Sequence, residues 1–277
     1  MMKHLLIILS MQLLLACSST STDLNSTNAN HNTIKSIHSN EDSGMEIFIL
    51  AGQSNMAGRG LISEQDKVAH PRIVALSKEN TWKPAVAPIH FDKKQAGVGL
   101  GKSFALAHAE KNKDITIGLV PTACGGSSLD VWVPGGYHKQ TKSYPYDDFL
   151  TRSKLAMQSG DLKAILWHQG ESDSRMKKAR GYKTKLISLI KRFRKDLNAP
   201  NLPIIIGQLG QFPQKPWKKG RELVNKAHIE IANELPFVTF VSSDGLTPIK
   251  DITHFDSKSL RIFGKRYYDA YLKLIAE

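Results

Sequence analysis

The run Gly52-Gln53-Ser54-Asn55-Met56 contains a serine that could act as a nucleophile. A serine hydroxyl becomes nucleophilic when a base lies within hydrogen-bond reach and a third group orients that base. Asp251 and His254 could be these partners, because a spacing of three residues places both side chains on one side of a turn. Taken separately, Ser54 could be an ordinary turn residue, and Asp251 and His254 could form an ordinary turn before a helix. Together, the three residues predict a serine esterase.

Acyl transfer also needs hydrogen-bond donors that stabilise the oxyanion of the tetrahedral intermediate. The backbone amides of Ser54 and of Gly125 or Gly126 are candidates, because glycine permits the close turn that such a site requires. Gln169 offers a side-chain amide as a further donor, although it could equally be a structural cap. Four other residues could contact the substrate or support the site, or could only pack loops: Asn55, Arg59, Trp132 and Glu171.

Short apolar runs alternate with helical patterns from Met45 onward. The runs are continuous, which is typical of strands buried on both faces, and they are residues 46–51, 115–120, 164–167, 204–209 and 237–241. Helical patterns cover residues 101–111, 146–159, 179–197 and 221–233, and a last one starts near Ser257. Strands that alternate with helices predict an α/β fold with a parallel sheet of about five strands and helices on both faces.

The candidate residues follow the predicted strands, at the points where each strand ends. Residues 52–55 follow the first strand, 122–128 the second, 168–171 the third and 242–245 the fifth. In sheets of this kind, ligands bind beyond the carboxyl ends of the strands. We therefore expect the candidates to meet at one edge of the sheet.

Three motifs, taken in order, resemble the SGNH-hydrolase superfamily, and more narrowly its sialate O-acetylesterase and family-six carbohydrate-esterase branch. They are GQSNMAG at 52–58, HQGESD at 168–173 and DITHF at 251–255. The resemblance covers most of the chain and implies a flavodoxin-like, three-layer α/β/α domain over residues 45–277. The α/β-hydrolase fold is disfavoured, because Met56 stands where its nucleophile turn has glycine.

The resemblance also implies roles for individual residues. Ser54 would be the nucleophile, His254 the base and Asp251 its partner. Ser54, one glycine of the pair at 125–126 and Gln169 would form the oxyanion hole, where the broader superfamily usually has asparagine in place of Gln169. The implied substrate is an acetylated carbohydrate, such as sialic acid or a xylan-type glycan, and the family uses no metal or other cofactor. Two alternatives stay open, namely a non-catalytic glycan-binding lipoprotein and an SGNH lipase or phospholipase.

The N-terminus predicts a leader peptide and a lipid anchor. Residues 5–15 are almost wholly apolar, too short to span a bilayer and of the length of a signal-peptide core. Residues 14–17, Leu-Leu-Ala-Cys, resemble a bacterial lipobox, so we expect cleavage after residue 16 and acylation of Cys17. Ser18 favours the outer membrane of the cell envelope. The polar segment 17–44 would be a flexible tether.

The overall charge is +13, which favours anionic partners, but the 38 Lys and Arg residues are scattered along the chain. No nucleic-acid-binding motif accompanies them, so we expect no nucleic-acid partner. Cys17 and Cys124 are the only cysteines, so acylation of Cys17 would leave no intrachain disulfide, and two cysteines alone make no all-Cys metal site. Nothing in the sequence indicates an oligomeric state.

Overall fold

The computed structural model describes residues 44–276. The predicted leader at 1–16, Cys17 and the predicted tether at 17–44, apart from residue 44, lie outside the described residues.

A single mixed sheet runs through the described part of the chain. Its seven strands are β1 (Met45–Gly52), β2 (Ile73–Leu76), β3 (Trp82–Pro84), β4 (Thr116–Pro121), β5 (Gly160–His168), β6 (Ile204–Gly207) and β7 (Val238–Val241). They lie in the order β3-β2-β4-β1-β5-β6-β7, and all neighbours are parallel except β2 and β3. The nucleophile strand β1 is therefore central, between β4 and β5.

The sheet has two strands more than the five expected. The predicted runs correspond to β1, β4, β5, β6 and β7, whereas β2 and β3 are additions at one edge. β3 has only three residues, Trp-Lys-Pro, and offers no hydrophobic run. β2 is an apolar run of four residues, as long as β6 and β7, and the prediction missed it. Pro84 ends β3, and proline is tolerated at a sheet edge because no further strand needs its missing N–H.

Eight helices accompany the sheet within residues 44–276. They are α1 (Ser54–Ala57), α2 (Glu64–Lys67), α3 (Gly101–Lys111), α4 (Pro145–Ala156), α5 (Met176–Ala179), α6 (Tyr182–Asp196), α7 (Lys219–Glu234) and α8 (Ser257–Ala276). The helix predicted over 179–197 is interrupted before α6 by Gly181, a poor helix former. Across this described range, every helix is too short or too polar to cross a bilayer.

Helices cover both faces of the sheet, which confirms the three-layer α/β/α architecture. Side chains along β1 point alternately to opposite faces, as strand geometry requires. Ile47 and Ile49 join the core under α4, α6 and α7, which is filled by aromatic residues such as Phe193. Phe48 and Leu50 join the opposite core under α3 and α8. Burial on both faces explains why the central strands are continuous apolar runs.

Candidate active site

Ser54 lies just beyond the carboxyl end of β1, as the first residue of α1. The turn before it requires glycine, since Gly52 has φ of +130° and a Cβ there would lie 2.1 Å from the carbonyl oxygen of His168 in β5. The Gln53 amide donates to that same carbonyl at 2.9 Å. Together these contacts fix the start of α1 and leave Ser54 almost buried, with 7% of its surface exposed.

His254 and Asp251 complete a continuous line of hydrogen bonds from Ser54. The Ser54 Oγ lies 2.8 Å from His254 Nε2, and His254 Nδ1 lies 2.5 Å from Asp251 Oδ2. With Nδ1 donating to the carboxylate, Nε2 is free to accept the serine proton. The structure thus brings the three predicted residues together with the order of contacts that an activated serine requires.

The carboxylate of Asp251 is held in its ionised form. Its Oδ1 accepts the backbone N–H groups of Thr253 and His254, both at 2.9 Å. Partial burial by itself raises the pKa of Asp251, but the hydrogen bonds from His254 and Thr253 outweigh burial and lower that pKa below its usual value. Asp251 therefore orients the His254 ring and fixes its tautomer without competing for its proton.

The glycine pair after β4 is divided between two roles. The Gly125 amide donates to Asp92 Oδ2 at 2.8 Å, so it is already occupied. By contrast, the amides of Gly126 and Ser54 have no acceptor within the described part of the chain. Gly126 has φ of +84°, a conformation that favours glycine. Of the two glycines, Gly126 is therefore the one with a free donor.

Gln169 is fully buried, and its side-chain amide forms hydrogen bonds with several neighbouring residues. Its Nε2 lies within hydrogen-bond distance of three acceptors, namely Asp173 Oδ2 at 2.6 Å, Ser127 O at 3.0 Å and Gln53 Oε1 at 3.2 Å. Its Oε1 accepts from the Tyr182 hydroxyl at 2.9 Å. An amide nitrogen has two hydrogens, so none remains for an oxyanion unless one of these contacts is released.

The side chains of Arg59 and Trp132 are almost completely buried. The Arg59 guanidinium pairs with Asp92 at 2.6 Å, and the two side chains are only 7% and 3% exposed. Trp132 is 1% exposed and packs in the core against Trp167. Its indole N–H instead donates to Ser127 Oγ at 3.0 Å. Both residues support the loops that carry the candidate donors.

Asn55, the residue after the nucleophile Ser54, forms a hydrogen-bonded pair with Glu171. Asn55 Nδ2 donates to Glu171 Oε1 at 2.6 Å, and both side chains are buried, with 8% of that of Glu171 exposed. Neither is an outward loop residue. Their contacts join the end of β5 to the first turn after β1.

A cavity of about 420 Å³ opens beside the glycine pair, at the same end of the sheet. Asp92 and Cys124 line the part of the cavity next to the glycine pair. The exposed ring of Phe91 and the guanidinium of Arg152 also line the cavity. The Cys124 amide donates to Gly52 O at 2.9 Å, so the cavity wall is bonded directly to the nucleophile turn.

Several supporting residues were not predicted from the sequence. Gln53 stands inside the first motif, and its position beside Ser54 was the available signal. Asp173 likewise stands inside the second motif, and Ser127 inside the cluster at 122–128. Asp92 and Tyr182 carry no comparable signal, because their partners are brought to them only by the fold. Within residues 44–276, no group of three or more His, Cys, Asp or Glu side chains is arranged to hold a metal ion.

Comparison with known proteins places this arrangement in context. Residues 44–273 match the family model described as "carbohydrate esterase, sialic acid-specific acetylesterase". A probable carbohydrate esterase from Arabidopsis thaliana is 33% identical over 249 residues, which is 82% of this chain and 90% of the relative.

Solved structures give the same fold. A crystal structure of an Arabidopsis thaliana protein superposes with a TM-score of 0.73 at 31% identity, covering 83% of this chain and 98% of the other. NanS superposes with a TM-score of 0.70 at 17% identity, covering 84% and 99%. A carbohydrate acetylesterase from Xanthomonas citri superposes with a TM-score of 0.64 at 19% identity, covering 83% and 57%.

Proposed function

Since the chain belongs to the carbohydrate esterase family of sialic acid-specific acetylesterases, we propose that it removes acetyl groups from sugar hydroxyls with Ser54 as nucleophile. The observation that carries this proposal is the line of hydrogen bonds from Ser54 Oγ through His254 to Asp251, at 2.8 and 2.5 Å. A hydroxyl, a base and an orienting carboxylate in this order are the components that acyl transfer by serine requires.

The reaction proceeds by double displacement. His254 Nε2 takes the proton of Ser54 as the Oγ attacks the acetyl carbonyl, and Asp251 stabilises the imidazolium that forms. His254 then gives the proton to the departing sugar oxygen, which leaves an acetyl group on Ser54. A water molecule, activated by His254 in the same way, hydrolyses this acetyl-enzyme and restores the serine.

The free amides of Ser54 and Gly126 are the proposed oxyanion donors. Both N–H groups lack an acceptor among the described residues, whereas the Gly125 amide is bonded to Asp92. Loss of one oxyanion donor typically lowers turnover by about 10²–10³. Gln169 contributes as a third donor only after it releases a contact, for which the 3.2 Å bond to Gln53 is the longest of its three.

The substrate class follows from the family, and we propose acetylated sialic acid or an acetylated xylan-type glycan. A lipase or phospholipase would prefer long-chain esters over acetyl esters. A glycan-binding protein without catalysis would bind acetylated glycans but would leave Ser54 unlabelled by a serine-directed phosphonate. The intact line of contacts from Ser54 to Asp251 favours the esterase over this second alternative.

The experiment compares the wild-type protein with Ser54→Ala and His254→Ala on 4-nitrophenyl acetate, then on acetylated sialic acid and acetylated xylan. By analogy with other serine hydrolases, each substitution is expected to lower kcat by about 10⁶. Release of acetate is followed directly, with 4-nitrophenyl esters of increasing chain length as the test for a lipase. Equal activity of Ser54→Ala and wild type would remove Ser54 as the nucleophile.

We also propose that Cys17 carries lipid and holds the enzyme at the outer membrane of a bacterial cell envelope. The support is the sequence Leu-Leu-Ala-Cys at 14–17 after an apolar run, followed by serine rather than aspartate at 18. An anchor of this kind is stable when it carries more than one acyl chain.

A further inference from the structure

Asn55, the residue after the nucleophile, contacts the loop of the base on both sides of His254. Its Oδ1 accepts the backbone N–H of Phe255 at 3.1 Å, and its Nδ2 donates to the carbonyl of Thr253 at 3.2 Å. Asn55 itself is fully buried. One side chain on the nucleophile helix thus holds the two peptide groups that flank the base.

The amide of Asn55 can face only one way. The Thr253 carbonyl can only accept a hydrogen bond and the Phe255 N–H can only donate one, and Glu171 Oε1 accepts from the same Asn55 Nδ2 at 2.6 Å. The nitrogen of Asn55 must therefore face Glu171 and Thr253, which leaves the oxygen to face Phe255. A flipped amide would place oxygen against oxygen at Glu171 and nitrogen against the N–H of Phe255.

The surroundings of Glu171 do little to stabilise its carboxylate in the folded protein. Its Oε2 is buried and has no hydrogen-bond partner in the described part of the chain. His168 Nδ1 lies 3.9 Å from Oε1, beyond hydrogen-bond distance, and is likewise unpartnered. Among the described residues, the ion-pair partner of Glu171 within 4.0 Å is His168, and it has no lysine or arginine at that distance. Burying a carboxylate with so little compensation costs free energy.

We infer that Glu171 and Asn55 are positioning residues: Glu171 holds the Asn55 amide in place, and Asn55 sets the place of His254 relative to Ser54. The inference rests on the proposed Ser54–His254 chemistry. It explains why the base reaches the nucleophile although Asp251, its orienting carboxylate, lies on the exposed side of the loop with its side chain 45% exposed. The nucleophile and the base are then held by one buried contact rather than by two independent loops.

The test exchanges the polarity of the pair. Asn55→Asp puts a carboxylate oxygen against Glu171 Oε1 and against the carbonyl of Thr253, so it should displace the loop of His254. Glu171→Gln alone keeps an acceptor for Asn55 and serves as the matched control. The double variant N55D/E171Q restores a donor–acceptor pair with the direction of the hydrogen bond reversed.

The expected kinetic result is a change in kcat rather than in KM for 4-nitrophenyl acetate. A misplacement of about 1 Å can cost about 10²-fold, so N55D should lower kcat by about that factor. E171Q should stay within about threefold of wild type, and the double variant should recover about tenfold over N55D, as coupled neighbours do. Equal kcat in N55D and the double variant would overturn the inference, and so would an unchanged kcat in N55D.

A direct action of the Glu171 charge on substrate is the competing explanation, and Glu171→Ala distinguishes it even if N55D does not fold. Positioning predicts that E171Q stays near wild type while E171A loses about tenfold or more in kcat. A direct charge effect predicts that both variants lose activity equally, which would overturn the inference.

A spectroscopic readout separates this inference from the proposed function. The proton between His254 Nδ1 and Asp251 gives a low-field NMR resonance that does not require turnover, so it can be followed in a Ser54→Ala background. The resonance should be present in Ser54→Ala, broadened or lost when N55D is added, and partly recovered when E171Q is added as well. Its persistence with N55D would overturn the positioning role, whatever the outcome of the activity assay.

Discussion

Ser54 Oγ and His254 Nε2 lie 2.8 Å apart although 200 positions separate the two residues in the sequence. Ser54 is placed by the end of β1, at the centre of the sheet, and His254 by the loop that precedes α8. That loop is closed on itself, since the Ile249 amide donates to the His254 carbonyl at 2.8 Å. This contact, together with the contacts of Asn55 to Thr253 and Phe255, holds the base at hydrogen-bond distance from the nucleophile.

The acid side of the pH profile should show no loss of activity from protonation of Asp251 at pH 4 and above. Because the folded pKa of Asp251 is lowered, its carboxylate stays ionised to below the usual value of 3.8, and the orientation of His254 is lost only as pH falls through that lowered pKa. Asp251 should therefore cause no fall in log(kcat/KM) at pH 4 and above. Steady-state kinetics on 4-nitrophenyl acetate measure this, and a limiting slope of two above pH 4 would contradict it.

The buried pair of Arg59 and Asp92 should matter for stability as well as for the site. Asp92→Ala leaves the Arg59 guanidinium buried without its partner, and breaking a buried ion pair in this way costs about 3–5 kcal/mol. Urea unfolding of D92A, R59A and the double variant measures the coupling, and the double variant should lose less than the sum of the single losses. Strict additivity would show that the pair is not coupled.

The same substitution separates two effects on catalysis. Asp92→Asn keeps an oxygen acceptor for the Gly125 amide, which Asp92→Ala removes. D92A should therefore lower kcat more than D92N, because the amide of Gly125, next to Gly126, loses its hydrogen-bond acceptor. If both variants retain wild-type kcat, the Gly125 contact does not help to place the proposed oxyanion donor.

The sequence predicts five of the seven strands. The strands β1 and β4 to β7 are recognisable because buried strands demand continuous apolar residues. The edge strand β3 has three residues, Trp-Lys-Pro, and no apolar run, whereas β2 is an apolar run as long as β6 and β7 that the prediction missed. Helix α6 begins at Tyr182 rather than at 179 because Gly181 interrupts a pattern that is otherwise periodic.

The same distinction applies to the site. Ser54, Asp251 and His254 stand in recognisable motifs, because reacting groups need particular residue types in a particular order. The role of Asp92 depends on a contact with Gly125 across 33 positions, which no local pattern encodes. Gln169 shows the reverse case, since its residue type suggested a donor to substrate while the fold uses both of its amide hydrogens internally.

The proposed anchor gives a prediction for the chain before and after substitution of Cys17. In a bacterial host, the wild-type protein should be found in the outer-membrane fraction, and Cys17→Ser should be released from it. Activity on 4-nitrophenyl acetate should be unchanged in C17S. Ser18→Asp should redirect the lipoprotein to the inner membrane, which fractionation on a density gradient detects. Retention of C17S in the membrane would rule out a lipid anchor at this residue.

Cys124 should be chemically silent although it lies beside the cavity and the glycine pair. Burial raises the pKa of its thiol to about 11, and a weaker opposing effect comes from its contact with Ser143. At pH 8 only about one thiol in a thousand is then ionised, and the thiolate is the reactive form. In the C17S variant, Cys124 is the one cysteine that remains, so a disulfide reagent reports on it alone. The reagent should react far more slowly with the folded protein than with the urea-unfolded protein.

The raised pKa of the Cys124 thiol also predicts how the stability of the folded protein changes at high pH. The folded chain holds the thiol proton more tightly than the unfolded chain, whose thiol has a pKa near 9.0. Stability from this group is therefore complete below about pH 9 and is lost as pH rises toward 11. Because the Cys124 thiol is buried and protonated at pH 8, thiol reagents at that pH should leave esterase activity intact, whereas a phosphonate should abolish it. Inhibition by the thiol reagent would show that Cys124 is exposed.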